Sequence, residues 1–261
     1  MPLEKITTRD GSATLYSGRY RQHYHNMAGA FTESRYVFFE RTGLVEALRE
    51  HRDLTICEVG FGSGFHLLVL EWFRKQTGSR SQIHYYSVEK YPVDVSVIVS
   101  MGFDKLFSDM DGQRESLNRL TADLASAKPG EMASITFPET GGNRMRATVY
   151  HGDFSDWDLS ILNRPAHFFL HDAFSPDVNP ELWSHDTFAT LFEAADPQAV
   201  LGTYCSATRA RAAMVLAGWH VFRAAGPPGK REMTLATPDV TVLEEYKQVN
   251  ETRLRERFGP S

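Results

Sequence analysis

Glu58-Val59-Gly60-Phe61-Gly62-Ser63-Gly64 follows an apolar strand and opens a helix. Glycines at such a turn let backbone approach a ligand closely, and a helix start offers N–H groups without intrahelical partners. A dinucleotide fingerprint spaces its glycines G-x-G-x-x-G. Here the spacing is G-x-G-x-G, with an acid two residues before the first glycine. Pyrophosphate prefers bare N–H groups, whereas Glu58 suits a ligand with a cationic amino-acid end; the competing reading is a tight turn that binds nothing. Glu89 ends the next strand, about 25 residues beyond the loop, where an acid in nucleotide-type α/β folds chelates ribose hydroxyls. Asp153 and Phe154 follow a later strand. Such a pair accepts from an adenine amino group and stacks on its face, unless the Asp is simply a turn residue. Asp172 follows the strand from Ala166 to Leu170, so it lies at the carboxyl edge of the sheet, where open α/β sheets bind ligands. Beside Phe174 and a turn stiffened by Pro176, its carboxylate can hold an incoming amine; the alternative is a structural strand-end acid.

These residues need a sheet to position them. Short apolar strands are expected at Leu54 to Val59, Ile83 to Val88, Ala166 to Leu170 and Ala199 to Tyr204, with helices at Phe65 to Lys75, Val93 to Met101, Pro180 to Ala195 and Thr208 to Ala217. Alternating strands and helices imply an α/β, doubly wound, mostly parallel sheet covered on both faces. Trp219 to Arg223 and Glu232 to Ala236 are joined too tightly for a parallel crossover, so at least one must run antiparallel. Before this core, Ile6 to Thr8 and Ala13 to Tyr16 flank Asp10-Gly11 as a hairpin, an aromatic loop follows, and a helical pattern runs from Glu33 to Arg49 with a break at Gly43. That gives an N-terminal extension over residues 1–50 and a ligand-binding domain over 51–261. An insert near 104–138 has a helical pattern from Ser116 to Ala127 and a hairpin pattern around Gly141-Gly142, with no chemical role assigned. Val240 to Arg257 is expected to be one charged terminal helix.

Composition narrows the function class. With 261 residues, 42% hydrophobic and 23% charged, the chain is ordinary for a globular protein. No run approaches the ~20 apolar residues of a membrane span, and the N-terminus lacks a secretory apolar segment, so a cytoplasmic location without membrane attachment is expected. Cys57 and Cys205 read as buried free thiols, and no sequence spacing matches a zinc site, so no metal is expected. A net charge of −5 argues against non-specific coating of nucleic acid but leaves room for a local basic patch.

The acid–x–Gly–x–Gly–x–Gly loop resembles motif I of class I S-adenosylmethionine-dependent methyltransferases. A more specific resemblance runs in order through Glu33-Ser34-Arg35-Tyr36-Val37-Phe38, Glu58 through Gly64, Ser87-Val88-Glu89-Lys90, Asp172-Ala173-Phe174-Ser175-Pro176-x-x-Asn179-Pro180-x-x-Trp183, and Gly229-Lys230-Arg231-Glu232-Met233. It is to the methyltransferase part of the bacterial MnmC-type enzymes and covers most of the chain from about residue 16 to 237. The resemblance implies a Rossmann-like sheet with one late antiparallel strand. It also implies S-adenosyl-L-methionine as cofactor, bound by Glu58, Gly60, Gly62, Gly64, Glu89, Asp153 and Phe154. The acceptor it implies is the 5-aminomethyl group of the wobble (2-thio)uridine in tRNA, giving 5-methylaminomethyl-2-thiouridine. Many members carry a fused flavin-dependent domain; this chain ends at Ser261 without a second Gly-rich βαβ unit and resembles the stand-alone form. A separate flavin-dependent enzyme is then expected to supply the amine.

On that reading Asp172 orients the amine and takes its proton as positive charge develops, while proximity supplies most of the acceleration. Phe174 either stacks on a flipped base or anchors its loop. Lys230 and Arg231, with Arg209 and Arg211, either bind anticodon-stem phosphates or form a solvated face. Tyr20, Tyr24 and His25 read first as packing residues, with a place in a cofactor lid as the alternative. Three rivals stand beside this: methylation of a different amine, on a small molecule or protein; a nicotinamide oxidoreductase, disfavoured by the glycine spacing; and an RNA-binding module without catalysis, disfavoured by Glu58, Glu89 and Asp172.

Overall fold

The computed structural model describes residues 3–259. The chain begins with β1 (Leu3–Thr7), β2 (Ala13–Ser17) and β3 (Gln22–His23), which form a three-stranded antiparallel sheet. The expected hairpin is present, and part of the aromatic loop adds its third strand. The helical stretch that follows is divided. It comprises α1 (Ala30–Ser34), a π-helical turn over Arg35–Glu40 and α2 (Leu44–Arg49), with Gly43 at φ +81° between them. A left-handed φ is where glycine costs little and a side chain costs more.

The core then alternates as expected: β4 (Leu54–Val59), α3 (Phe65–Thr77), β5 (Ile83–Glu89), α4 (Val95–Ser100), α5 (Asp111–Ser126), β6 (Met132–Thr136), β7 (Met145–His151), β8 (Ala166–His171), α6 (His185–Glu193), β9 (Ala195–Thr203), α7 (Thr208–Leu216), β10 (His220–Ala225), β11 (Glu232–Thr237), β12 (Lys247–Gln248) and α8 (Glu251–Phe258). The large sheet has the order β12-β10-β11-β9-β8-β4-β5-β7-β6. β4 is buried at every position, as a central strand covered on both faces must be. Alternate residues feed two cores: Ile56, Phe168 and Val200 face the core under α3 and α5, while Cys57, Phe169 and Leu201 face the core under α6 and α7.

β11 is the late strand that runs against the parallel set, pairing antiparallel with both β9 and β10. Two further reversals sit at the sheet's edges, β6 against β7 and β12 against β10. β6 comes from the insert, so this segment extends the sheet and supplies α5 as a cover. The segment from Pro180 is not one helix: a 3-10 turn over Pro180–Trp183 stops at Ser184, whose hydroxyl then accepts from the Thr187 N–H and caps α6. Serine at such a break competes with helix continuation by capping a new start. Ala195 belongs to β9 rather than to the helix.

The expected terminal helix from Val240 to Arg257 is likewise replaced by a 3-10 turn at Val240–Leu243, β12 and α8. Asp239 caps the turn, the Val249 N–H bonds Val221, and Asn250 caps α8 through the Arg253 N–H. Sheet pairing at 247–249 thus overrides a merely charged, weakly periodic pattern.

The chain leaves β4 toward β5 and β7 on one side and returns through β8 and β9 on the other. The sheet order therefore reverses between β4 and β8, the position at which open α/β sheets form a ligand crevice. The glycine loop and Asp172 both follow strands at this point.

Candidate active site

A cavity of about 570 Å³ opens at this reversal, in the size range of a small-molecule site. Its floor is the loop after β4. The Phe61 N–H bonds the Val88 carbonyl and the Gly62 N–H bonds Glu89 Oε2 at 2.9 Å, while Glu89 Oε1 accepts from the Tyr91 N–H at 2.7 Å. Both Glu89 oxygens are thereby fixed, and burial raises its pKa against the pull of these bonds. At Gly60, φ is +94° and a Cβ would lie 2.9 Å from the Asp172 backbone carbonyl oxygen. Only glycine lets the two strand ends approach this closely. Gly60, Phe61, Gly62 and Ser63 line the cavity. Gly64 stands behind them, where a Cβ would overlap Leu117 of α5 and Phe61. Its place is in packing the loop onto the insert.

Glu58 is 1% exposed and does not present a free carboxylate to the cavity. It accepts from His66 Nδ1–H at 2.7 Å and from the Ser87 hydroxyl at 2.8 Å. His66 Nε2 lies 3.1 Å from Ser34 Oγ and 3.9 Å from Asp172 Oδ2. Burial opposes charge on His66, but the hydrogen bond and charge of Glu58, with Asp172 and Glu33 beyond, raise its pKa. The cavity therefore meets the acid of the glycine loop through the His66 ring.

Asp172 keeps 13% of its side chain exposed, and its N–H bonds the Val59 carbonyl. Burial pushes its pKa up to about 8; Glu33 and Glu58 add to the rise, and His66 and Lys230 oppose it. Asp153 lines the cavity as an anion: Lys90 donates to it and lowers its pKa, and it caps the turn through the Ser155 N–H. Phe154 is buried against Trp157 and lines the same wall.

The far wall comes from distant segments. Phe174 packs against Tyr20 (4.5 Å between ring centroids) and edge-on against Tyr24 (5.1 Å), so three rings form one surface. Gln22 donates to Ser175 Oγ at 2.6 Å, which ties β3 to the turn after β8. Lys230 pairs with Glu33 at 2.8 Å and sits 4.1 Å above the Tyr204 ring, whose hydroxyl donates to the Ala173 carbonyl. Lys230 is thus a wall of the cavity rather than a free surface cation. Arg231 is exposed and outside the cavity lining. Arg211 is not available as a surface phosphate contact: it is buried and donates to Thr234 Oγ1, the Met233 carbonyl and Glu232.

Comparisons with known proteins bear on the family and the fold. A family model described as S-adenosyl-L-methionine-dependent methyltransferase matches residues 115–239. The "tRNA 5-methylaminomethyl-2-thiouridine biosynthesis bifunctional protein MnmC" of Cupriavidus necator is 32% identical over 237 residues, covering 90% of this chain and 34% of that protein. The protein of the same name from Burkholderia mallei is 31% identical over 235 residues, covering 89% and 35%. The chain thus spans about a third of the length of the curated relatives it matches. The crystal structure of MnmC2 from Aquifex aeolicus superposes with a TM-score of 0.71 at 25% identity, over 98% of this chain and 75% of that one.

The chain is similar to the methyltransferase part of the MnmC-type proteins.

Sequence reasoning missed several residues of the cavity. His66 interrupts the apolar run that begins at Phe65, and its signal is position, on the first turn of the helix that the glycine loop opens. The other interruption, Glu71, is structural and pairs with Arg74 in the core. Ser34 appeared only within a family string, Glu33 there and as a helix start, and Tyr204 only as a strand end. His25 is buried beside Thr14, and burial lowers its pKa to about 3.

His25, His66 and Asp172 each bring one metal-ligand atom within 4.8 Å of the others, a grouping that no sequence spacing announced. Both ring nitrogens of His66 are already engaged, with Glu58 and with Ser34, and the nearby Lys230 adds a positive charge, which works against a metal ion there. For the cofactor of this family, the fit is better. The carboxylate of Glu89 is pre-oriented, Gly60 and Gly62 present bare backbone to the cavity, and Asp153 and Phe154 offer an acceptor and a ring.

Proposed function

We propose that the methyltransferase methylates the primary amine of 5-aminomethyl-(2-thio)uridine at the tRNA wobble position, yielding 5-methylaminomethyl-2-thiouridine. The observation that carries this reading is Asp172, a buried carboxyl at the sheet reversal, held against Gly60 and 3.9 Å from His66. The names of the relatives support the acceptor.

Gly60, Gly62, Glu89, Asp153 and Phe154 hold S-adenosyl-L-methionine in this reading. When bound, it supplies a methyl group already activated on a sulfonium. The chain's own residues bring the acceptor nitrogen into line and exclude water, which is where most of the acceleration arises. The cavity lining carries the acids Glu33, Glu58, Glu89, Asp153, Asp172 and Glu181 against Arg21, Lys90 and Lys230, a surplus that suits a cationic donor and an amine.

Attack requires a neutral amine, and a permanently charged carboxylate would favour the ammonium form. With a pKa near 8, Asp172 exchanges a proton close to working pH, which is the condition for an effective general base. Asp172 therefore accepts the amine proton at its carboxylate and holds the nitrogen by a hydrogen bond. Phe174, with Tyr20 and Tyr24, forms the surface against which the base rests, Lys230 closes the opposite wall, and Arg231 contacts RNA outside the cavity. A separate flavin-dependent enzyme supplies the amine, and the compartment is the cytoplasm. Among the described residues, no helix is long and apolar enough to cross a membrane.

The test is transfer of labelled methyl from S-adenosyl-L-methionine to bulk tRNA lacking the wobble methyl group, with wild type and Asp172→Ala. Label in the wobble nucleoside, lost in the variant, is the expected result. Donor binding without label on tRNA would move the acceptor to another amine.

A further inference from the structure

A second concavity, of about 280 Å³, lies between α7, β10 and α8. Arg211, Arg223, Arg253 and Arg257 line it with Thr208 and Asn250, and no acid does. This is not what the composition dictates, since acids outnumber Lys and Arg by 33 to 28. Arg211 is a fixed post, spent on β11. Arg223 is exposed and 3.8 Å from Glu232, a carboxylate that Arg211 already holds at 3.1 Å. Arg253 and Arg257 are exposed and stand one turn apart on α8, ~6 Å along its axis. Among the described residues neither has an ion-pair partner, and like charges at this spacing weaken a helix. The acid at the start of α8 is occupied elsewhere: Glu251 accepts from the Val221 N–H and from Gln248.

Two short segments of chain link the groove to the methyl-transfer cavity. Thr208 opens α7 four residues after Tyr204, a cavity residue, and the Met233 carbonyl that Arg211 holds is three residues after Lys230.

We infer that the Arg223–Arg253–Arg257 groove binds the sugar-phosphate backbone of the RNA substrate, away from the modified base. The inference rests on the RNA reading of the cavity. Rows of guanidinium donors with polar neighbours suit phosphate oxygens, which fix register without reading sequence. It also moves the phosphate contacts from Arg211, which is buried, to arginines that are exposed.

The experiment compares wild type with the double variant Arg253→Glu/Arg257→Glu. Binding of unmodified tRNA is measured across salt concentrations, and methyl transfer is measured on full tRNA and on the isolated aminomethyl nucleoside. The expected result is a KM for tRNA raised about tenfold or more, and a salt slope lower by about one for each lost phosphate contact. Donor affinity and turnover of the nucleoside stay at wild-type values, which also shows that the variant is folded. Equal tRNA affinity and equal salt slope in the two proteins would overturn the groove. Methylation of tRNA with an unchanged KM would overturn it while leaving the cavity reading intact. Wild type that binds tRNA through the groove yet transfers no methyl would sink the acceptor and keep the surface. Wild type that binds no tRNA would sink both.

Discussion

Asp172 joins two consequences of one physical cause. Burial, with Glu33 and Glu58 nearby, raises its pKa to about 8. An acid whose folded pKa is raised favours the fold while protonated. Its contribution is full below its ordinary value of 3.8 and is lost as pH rises through about 8. Asp172→Asn should therefore stabilise the ligand-free protein at pH 9 and change little at pH 4. Each kcal/mol corresponds to about 2–4 °C in Tm for a chain of this size. Turnover should fall about 100-fold or more, with the loss of the acid limb near pH 8 in the pH–rate profile. Thermal melts at the two pH values and the profile check this; near-normal turnover would remove Asp172 from proton transfer. Glu89, Asp153 and Asp172 were legible because each ends a strand, and strand ends at one sheet edge converge. Glu58 was legible as a motif residue but not in its orientation, since nothing in the sequence says that its carboxylate turns under His66.

The glycine loop shows how an element converts residue type into geometry. Gly60 serves the approach of β4 to the strand end at Asp172, and Gly64 the approach of α5. Gly60→Ala should cost about 1–2 kcal/mol for its left-handed conformation and should also displace the Asp172 backbone. The expected outcome is a modest fall in Tm with a larger fall in kcat; an unaltered kcat in a folded variant would remove this approach from the mechanism. At the same scale the sequence misjudged helices that contain cap residues. Ser184 and Asn250 each start a new helix, because their side chains bond N–H groups ahead of them. Periodicity over a long window averages such breaks away.

The chain closes its cavity with parts far apart in sequence. β3 reaches the β8 turn through Gln22 and Ser175, 153 residues apart, and Lys230 reaches Glu33 across 197. We propose that residues 1–50 act as an extension roofing the ligand-binding domain at 51–261; residues 1, 2, 260 and 261 of these ranges lie outside the described part. Gln22→Ala should weaken the roof by about 1 kcal/mol, roughly fivefold in donor Kd. Faster amide exchange over residues 17–27 should accompany it. Titration calorimetry and exchange measurements decide the point; an unchanged Kd would mean that the roof stays shut without this tether.

By itself the sequence determined the sheet's alternation, the late strand reversal and the strand-end acids, because strand burial and turn chemistry are local properties. The family strings carried the cofactor and acceptor expectations. Only the tertiary structure decided which charged groups meet. It paired His66 with Glu58 and Lys230 with Glu33, buried Arg211 beneath β11, and left Arg253 and Arg257 exposed on α8 with no ion-pair partner among the described residues. Those outcomes depend on which elements pack together and how far each side chain is removed from water, and no spacing along the chain encodes either.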